Sequence, residues 1–361
     1  MRATAGTERA GATVGAVLRA AAARLRAAGV ETARLDAEVL LAGVLAVERW
    51  RLLADAQEPV PPAAEAAFQG LLARREAREP VAYILGRKEF WSLELAVTPD
   101  VLIPRPETEC LVETAVRWLR RRAATSRPES MLPGPGSQDV GKTTRDQGLR
   151  TEGRLVVVDV GTGPGTVLLA VASEVEGHRY LGTDVSAAAL ALARRNAAAL
   201  GLAGRVELAQ GDLCGPLGAR GLEGRVDLLL SNPPYVATRG MDLLAPEIRR
   251  YEPALALDGG PDGLGVIRRL VAQAPRWIAP GGALLFEFGD GQAHACLALL
   301  RQTGAYAPGH IVPDLGGRPR AVLAHRRGPE SRVLGPESKE ALPGTMDPGP
   351  GTRDRRGGGR G

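Results

Sequence analysis

Four consecutive residues in the second half of the chain have the composition of a binding site for a planar amino group: Asn232, Pro233, Pro234 and Tyr235. Neither proline has an N–H group and both have a fixed φ, so the backbone carbonyls of Asn232 and Pro233 are free to accept hydrogen bonds from a ligand. With the Asn232 side-chain oxygen they form a cluster of acceptors that suits an –NH2 group with two donors. Tyr235 offers a flat face for a planar group. We predict that Asn232, Pro233 and Tyr235 act in catalysis and that all four residues bind the substrate.

The same tetrapeptide follows the apolar run 228–230, which is typical of a buried strand. An ordinary proline turn at the end of that strand is the alternative interpretation. The tetrapeptide also resembles the Asn-Pro-Pro-Tyr motif of methyltransferases that alkylate planar amino nitrogens.

A glycine-rich turn predicts a cofactor site. The apolar run 155–160 is typical of a buried strand, and it leads through this turn into a helix predicted over 166–175. Position 166 is threonine, where a dinucleotide-binding fingerprint requires a third glycine or an alanine. This favours S-adenosylmethionine over NAD, because S-adenosylmethionine has no pyrophosphate. The residues of the strand and turn that we predict to bind the cofactor are Asp159, Gly161, Thr162, Gly163, Pro164 and Gly165.

Polar residues also end the following strands. Asp184 comes 23 residues after Gly161 and follows a strand predicted over 179–183, a position where a carboxylate can accept hydrogen bonds from both ribose hydroxyls. Asp212 and Leu213 follow the next predicted strand and should flank the adenine. Asn232 ends the fourth strand and is assigned to the cofactor site as well. Strand ends on one edge of a parallel sheet are where an open α/β sheet binds ligands.

The elements that must position these residues divide the chain into five regions. Residues 1–84 have apolar side chains at helical spacing and predict a small helical domain. Residues 85–106 predict a linking β-hairpin, and residues 107–325 a doubly wound α/β domain. Within it, the Pro-, Gly- and Ser-rich segment 125–153 predicts a disordered insertion, and residues 326–361 a disordered tail.

Local features within these regions carry further expectations. The hairpin should turn at the Thr-Pro-Asp sequence 98–100, and the stiff segment after it could place Arg105 and Glu107 over a ligand. Residues 241–258 predict a lid. The segment 136–143 satisfies the phosphate-loop pattern, but we reject this match because prolines precede it and no apolar strand leads into it.

Composition excludes several classes of protein. The net charge is +5, but residues 326–361 contain eight basic and five acidic side chains, which leaves only +2 for residues 1–325 and no basic face for nucleic acid. Three scattered cysteines and four histidines predict neither disulfides nor a metal site. No apolar run approaches the ~20 residues that span a bilayer. We therefore expect no membrane partner and a cytoplasmic location, or a mitochondrial one if the source is eukaryotic.

Five motifs together resemble the HemK/PrmC family of protein-(glutamine-N5) methyltransferases: Phe90-Trp91-Ser92, Ile103-Pro104-Arg105-Pro106-Glu107-Thr108-Glu109, Asp159-Val160-Gly161-Thr162-Gly163, Asn232-Pro233-Pro234-Tyr235 and Tyr251-Glu252-Pro253. The resemblance covers about residues 13–325. It implies a Rossmann-like S-adenosylmethionine-dependent methyltransferase fold and, as substrate, the glutamine of the Gly-Gly-Gln loop in class-1 peptide chain release factors. It also implies a monomer whose N-terminal helices dock the release factor. The chain departs from the family at Pro164, which lacks an N–H, and in the insertion.

Two other functions remain open from the residues alone. The tetrapeptide also occurs in enzymes that methylate the exocyclic amine of adenine or guanine, although the nearly neutral ordered region disfavours a nucleic-acid substrate. A non-catalytic S-adenosylmethionine-binding scaffold is disfavoured by the intact cluster of acceptors.

Overall fold

The computed structural model describes residues 12–125 and 154–328. The predicted insertion lies outside the described residues except for Thr125, the last residue of a helix. The segment 136–143 and residues 329–361 of the predicted tail also lie outside them. None of the helices in the described ranges is long and apolar enough to cross a membrane.

Between residues 12 and 86, the structure describes five helices: α1 (Val14–Ala27), α2 (Ala33–Leu45), α3 (Arg49–Ala54), α4 (Pro62–Glu76) and α5 (Val81–Leu85). The hydroxyl of Thr13 caps α1 by accepting a hydrogen bond from the backbone of Ala16. α4 begins with a proline, which has no N–H to leave unsatisfied at a helix start. The apolar stripes of these helices meet in one core that contains Leu18, Leu40 and Phe68.

The linking hairpin consists of β1 (Arg87–Phe90) and β2 (Leu93–Ala96), so the predicted turn at 98–100 is wrong. The chain turns at Trp91 and Ser92, which have φ angles of 53° and 57°. A two-residue hairpin turn of this kind needs positive φ at both central residues and normally uses Asn or Gly, a signal that this sequence lacks. The apolar residues that follow the predicted turn do not pair with β2. The backbone N–H of Ile103, one of these residues, instead donates to Glu252.

The second part of the chain is built on a seven-stranded sheet: β3 (Val156–Val160), β4 (Arg179–Asp184), β5 (Val206–Gln210), β6 (Val226–Ser231), β7 (Ile278–Glu287), β8 (His310–Pro313) and β9 (Pro319–His325). The strand order is β5-β4-β3-β6-β7-β9-β8. Strands β3 to β7 are parallel, and β9 pairs antiparallel with both of its neighbours, β7 and β8. The order reverses beside β3, which creates a crevice at the carboxyl ends of β3 and β6. The predicted α/β fold class, with its helical domain and hairpin, is confirmed.

The helices of this part of the described chain are α6 (Glu109–Thr125), α7 (Thr166–Glu174), α8 (Ala187–Ala199), α9 (Pro246–Tyr251), α10 (Gly265–Trp277) and α11 (Ala293–Thr303). All of them except α9 pack closely against the strands and together cover both faces of the sheet. On β6, Leu228 and Leu230 pack into the core with α6 and α7, and Leu229 packs into the core with α10 and α11. A strand buried on both faces explains the continuous apolar run before the tetrapeptide. At the end of the domain, the backbone N–H groups of Arg326 and Arg327 donate to Gly282 and Ala305, so these two residues of the predicted tail belong to the folded domain.

An ionic cluster joins the helical part to the segment that contains α9. The Glu247 carboxylate accepts hydrogen bonds from Arg75 at 3.0 Å and from Arg78 at 2.7 Å, while Arg75 also pairs with Asp36. The side chain of Arg75 is only 6% exposed. Burial raises the pKa of Glu247, but the hydrogen bonds from the two arginines outweigh it and lower the pKa to about 2.

We expect Glu247→Ala to reduce the free energy of unfolding at pH 7 by about 1–2 kcal/mol, between the values for exposed and for fully buried pairs. Because the folded-state pKa of Glu247 is depressed, this stabilisation is complete above pH ~4.5 and is lost as the pH falls towards 2. Urea unfolding of both proteins at pH 7 and pH 3 measures it. Glu223→Ala is the control, since Glu223 forms an exposed pair with Arg276, and it should change stability little. If Glu247→Ala and Glu223→Ala lowered the free energy of unfolding equally, the ionic cluster would contribute no more to stability than an exposed ion pair.

Candidate active site

A cavity of about 440 Å³ lies at the carboxyl ends of the parallel strands β3 to β6. Its volume is in the range of small-molecule sites. Ten of the thirteen residues that the sequence predicts for the site line it: Asp159, Gly161, Thr162, Gly163, Pro164, Asp184, Asp212, Leu213, Asn232 and Pro234. The other three, Gly165, Pro233 and Tyr235, are not part of its lining.

The glycine turn between β3 and α7 is held by side chains around it. The backbone N–H of Gly163 donates to Asp184 at 2.8 Å, and the carbonyl of Pro164 accepts from Asn196 at 2.9 Å. Gly165 has a φ of 89°, and a Cβ at this position would lie 2.7 Å from Leu169. Glycine is therefore required here for the turn to pack against α7. Gly165 shapes the turn, while the residues before it face the cavity.

Two carboxyl groups stand at the ends of neighbouring strands. Asp159 is 2% exposed, and burial raises its pKa to about 7, although the hydroxyl of Thr162 donates to it at 2.7 Å. Asp184 accepts hydrogen bonds from Gly163 and from the backbone of Ser186, each at 2.8 Å. An ionised carboxylate has about four lone-pair positions, so Asp184 keeps acceptor capacity for a ligand hydroxyl.

The segment after β5 contributes a charged and an apolar residue. Asp212 forms an ion pair with Arg269 of α10, and both line the cavity. Leu213 has a φ of 47°, and its backbone carbonyl accepts a hydrogen bond from Thr183 at 3.0 Å. Leu213 also lines the cavity, where the sequence predicts the adenine.

The tetrapeptide at the end of β6 is fixed on both sides. Before it, the hydroxyl of Ser231 donates to the carbonyl of Val160 at 2.7 Å and ties β6 to β3. The side-chain nitrogen of Asn232 donates to the hydroxyl oxygen of Thr108 at 3.1 Å. Because the nitrogen of the amide is used in this way, its oxygen is the group left to accept hydrogen bonds in the cavity. Pro233 is buried, and Pro234 lines the cavity.

Tyr235 makes contacts that the sequence does not predict. Its hydroxyl donates to Glu287 at 3.0 Å, and its backbone carbonyl accepts from Gln292 at 3.0 Å. Its ring packs against the core on the α10 and α11 side of the sheet. Burial is the main cause that raises the pKa of the Tyr235 phenol, so it stays protonated near neutral pH.

The linking segment and the predicted lid form the remaining wall. Arg105 lines the cavity and pairs with Glu252, whose side chain is 1% exposed; Glu107 is exposed and lies outside the lining. Burial raises the pKa of Glu252, and Arg105 opposes this rise. Within the predicted lid, Pro253, Leu255, Ala256 and Asp258 line the cavity.

The sequence analysis does not assign three polar residues to the site, although the structure places them around it: Thr108, Asn196 and Glu287. Thr108 and Asn196 act through contacts over 100 or more residues of sequence, to Asn232 and to Ala96 respectively, and no local pattern signals these. Glu287 had a signal: it is a polar residue that ends an apolar strand, as Asp184 and Asn232 do. Over the described ranges, no group of three or more His, Cys, Asp or Glu residues is arranged to hold a metal ion.

The lining fits S-adenosylmethionine. Asp184 stands where hydrogen bonds to ribose hydroxyls are expected, and the apolar residues Val185 and Leu213 flank the same wall. Asp159, buried beside the glycine turn, is an anionic partner for a cationic amino-acid group once ionised. Asp159, Asp184 and the glycine turn would therefore hold this cofactor.

Comparison with known proteins agrees with this geometry. The model of the PrmC N-terminal domain matches residues 16–86, and a methyltransferase domain model matches residues 157–251. The release factor glutamine methyltransferase of Moorella thermoacetica is 41% identical over 304 residues, which cover 84% of this chain and 95% of that protein. The protein of the same name from Cereibacter sphaeroides is 40% identical, with 85% and 96% covered.

Among solved structures, the release-factor-specific protein-(glutamine-N5) methyltransferase of Alicyclobacillus acidocaldarius has a TM-score of 0.33 and 24% identity, with 65% of this chain and 100% of that chain covered. This score is too low to support an assignment. The sequence relatives support the assignment to a family, because the similarity extends over nearly the whole length of those proteins. The chain belongs to the release factor glutamine methyltransferase family.

Proposed function

We propose that this protein transfers a methyl group from S-adenosylmethionine to the side-chain amide nitrogen of a glutamine in peptide chain release factors, the glutamine of the Gly-Gly-Gln motif in class-1 factors. The observation that supports the proposal is the orientation of the Asn232 amide. Its nitrogen donates a hydrogen bond to Thr108, and its oxygen is free to accept a hydrogen bond from a ligand in the cavity. The names of the relatives support the same substrate.

The chemistry of the substrate explains why acceptors are needed. A carboxamide nitrogen is a poor nucleophile because its lone pair is delocalised into the carbonyl. Although Pro233 is not part of the cavity lining, we propose that its backbone carbonyl and the side-chain oxygen of Asn232 accept the two N–H groups of the substrate amide. These hydrogen bonds would orient the lone pair and favour a pyramidal nitrogen. When bound, S-adenosylmethionine would supply the electrophilic methyl group, and breaking of its C–S bond would leave the neutral thioether S-adenosylhomocysteine.

The same two acceptors also stabilise the transition state. Positive charge grows on the substrate nitrogen as the new C–N bond forms, and preorganised oxygen atoms interact with it more strongly than with the neutral amide. The N-methylated amide cation then loses its proton to water, so no strong general base is required. This agrees with the absence of His and Lys from the tetrapeptide.

The N-terminal helices are the proposed docking surface for the release factor. On α3, Trp50 and Leu53 are 65% and 57% exposed and lie three residues apart, so they offer neighbouring apolar surface to a partner. We propose that the protein acts as a monomer, does not bind nucleic acid directly, and works in the cytoplasm, or in the mitochondrion if the source is eukaryotic.

Incubation of the protein with a class-1 release factor and methyl-labelled S-adenosylmethionine tests the proposal. Mass spectrometry should find one added methyl group on the glutamine of the Gly-Gly-Gln peptide. A release factor with alanine in place of that glutamine is the matched control and should remain unlabelled. Label in added RNA or DNA, with none in the release factor, would overturn the proposal in favour of a nucleic-acid amino-group methyltransferase.

A further inference from the structure

Glu287, the last residue of β7, is a carboxyl group buried next to the tetrapeptide. Its side chain is 0% exposed. One carboxyl oxygen accepts the hydrogen bond from the Tyr235 hydroxyl at 3.0 Å, and the other, Oε2, has no regular hydrogen-bond partner. A buried carboxyl group with a free acceptor is costly, and none of the contacts assigned to substrate or cofactor explains it.

Thr108 lies between this carboxyl group and the catalytic amide. Its hydroxyl oxygen accepts the hydrogen bond from the side-chain nitrogen of Asn232. Thr108 is also near enough to Glu287 for its hydroxyl to favour the charged form of the carboxyl group and so to lower its pKa, although Oε2 accepts no regular hydrogen bond. Thr108 is itself 3% exposed, so its hydroxyl has little access to water.

We infer that Glu287 is a positioning residue that sets the direction of the Asn232 amide through Thr108. An ionised carboxylate can only accept hydrogen bonds, so Glu287 would attract the proton of Thr108. The lone pairs of Thr108 are then directed to the nitrogen of Asn232, whose oxygen remains in the cavity. Without the carboxylate, Thr108 could donate to the oxygen of Asn232, and the amide would present its –NH2 group to the substrate. The inference rests on the proposed function, in which that oxygen must accept from the substrate amide.

The charge on Glu287 depends on groups from every element around it. Burial raises its pKa to about 7, while the hydroxyls of Thr108 and Tyr235 and the charge of Arg320 oppose the rise and Glu107 adds to it. Cys110 also lies within electrostatic range of Glu287, and burial keeps this thiol neutral by raising its pKa to about 12. Arg320 is balanced in turn by Asp314, 3.6 Å away. The ionised form therefore increases as the pH rises through 7.

The test compares variants under saturating cofactor and release factor. Glu287→Gln and Thr108→Val should each lower kcat on the order of tenfold, as loss of a group that orients a catalytic residue does. The double variant should be no slower than either single variant, because both changes break one chain of contacts. Thr108→Ser, which keeps the hydroxyl, should restore most of the activity. Cofactor affinity, measured by calorimetry, should stay near that of the wild type in every variant.

The pH profile separates orientation from a merely structural role. The wild-type kcat should fall as the pH decreases below about 7, and this acidic limb should be absent in Glu287→Gln. Asp159 also has a pKa of about 7, but it faces the cofactor, so its titration should affect the KM for the cofactor and persist in Glu287→Gln.

Three results would overturn the inference while the wild type methylates the release factor: a normal kcat in Glu287→Gln, multiplicative losses in the double variant, or an acidic limb that survives the substitution. A wild-type protein that does not methylate release factors would instead refute the proposed function. If Glu287→Gln does not fold, the Thr108→Val and Thr108→Ser pair still decides whether the hydroxyl is required.

Discussion

Replacing Asn232 with alanine is expected to lower kcat about 10²–10³-fold, the usual effect of losing one preorganised partner of transition-state charge. The change removes the side-chain acceptor but leaves the carbonyl of Pro233, the glycine turn and Asp184 in place. Affinity for S-adenosylmethionine should therefore change little. Single-turnover methylation of a release factor, with cofactor binding measured by calorimetry, separates the two quantities.

The apparent affinity for the release factor should fall much less than kcat, because docking through the wider surface does not involve this side chain. Asn232→Asp is the matched control for shape. It keeps an acceptor oxygen for the substrate, so it should retain more activity than the alanine variant, although it loses the N–H that donates to Thr108. A near-normal kcat with a raised KM in Asn232→Ala would make Asn232 a binding residue and refute the orientation mechanism.

The architecture of the sheet follows from signals that are local in the sequence. Continuous apolar runs identify β3 and β6 because both faces of these strands are buried, and the polar residues at their ends mark the ligand edge of the sheet. β8 escapes prediction because it is only four residues long and half-exposed. β7 contains two adjacent glycines, which are accommodated where its pairing with β6 passes through an irregularity.

Parts of the site depend on contacts that no local pattern encodes. The sequence predicts a Tyr235 ring that faces the substrate, but it does not predict the hydrogen bond from the Tyr235 hydroxyl to Glu287, which is 52 residues away. The partner of Asn232 is Thr108, which comes from a segment 124 residues earlier. At this strand end, partners that are distant in the sequence determine how each side chain is oriented. The sequence therefore identifies the residues of the site but does not predict the orientation of their side chains.

The linking segment illustrates the same limit. Its stiff prolines and acidic residues suggest that Arg105 and Glu107 both face a ligand, but only Arg105 lines the cavity, where the buried Glu252 pairs with it. Glu107 is exposed because the backbone forms a short 3₁₀ turn at Pro106–Thr108, which directs Thr108 inwards instead. Because the backbone buries Thr108 and exposes its neighbour Glu107, the hydroxyl of Thr108 reaches Asn232 and the carboxylate of Glu107 does not.

Replacing Asp184 with alanine is expected to weaken S-adenosylmethionine binding by about 1.5–3 kcal/mol, or roughly 10- to 150-fold in Kd, the scale of hydrogen bonds to a charged group. The proposed partners are the ribose hydroxyls, and the carboxylate also holds the backbone N–H groups of Gly163 and Ser186. Asp184→Asn keeps one acceptor oxygen and the shape of the side chain, so its loss should be smaller. Asp262→Ala removes an exposed carboxylate outside the cavity and should leave Kd unchanged. Calorimetric titration at pH 8, where Asp159 is mostly ionised, measures all three variants under equal conditions. Unchanged affinity in a folded Asp184→Ala protein would remove Asp184 from the cofactor site, because neither its hydrogen bonds to a ligand nor its support of the glycine turn would then contribute to binding.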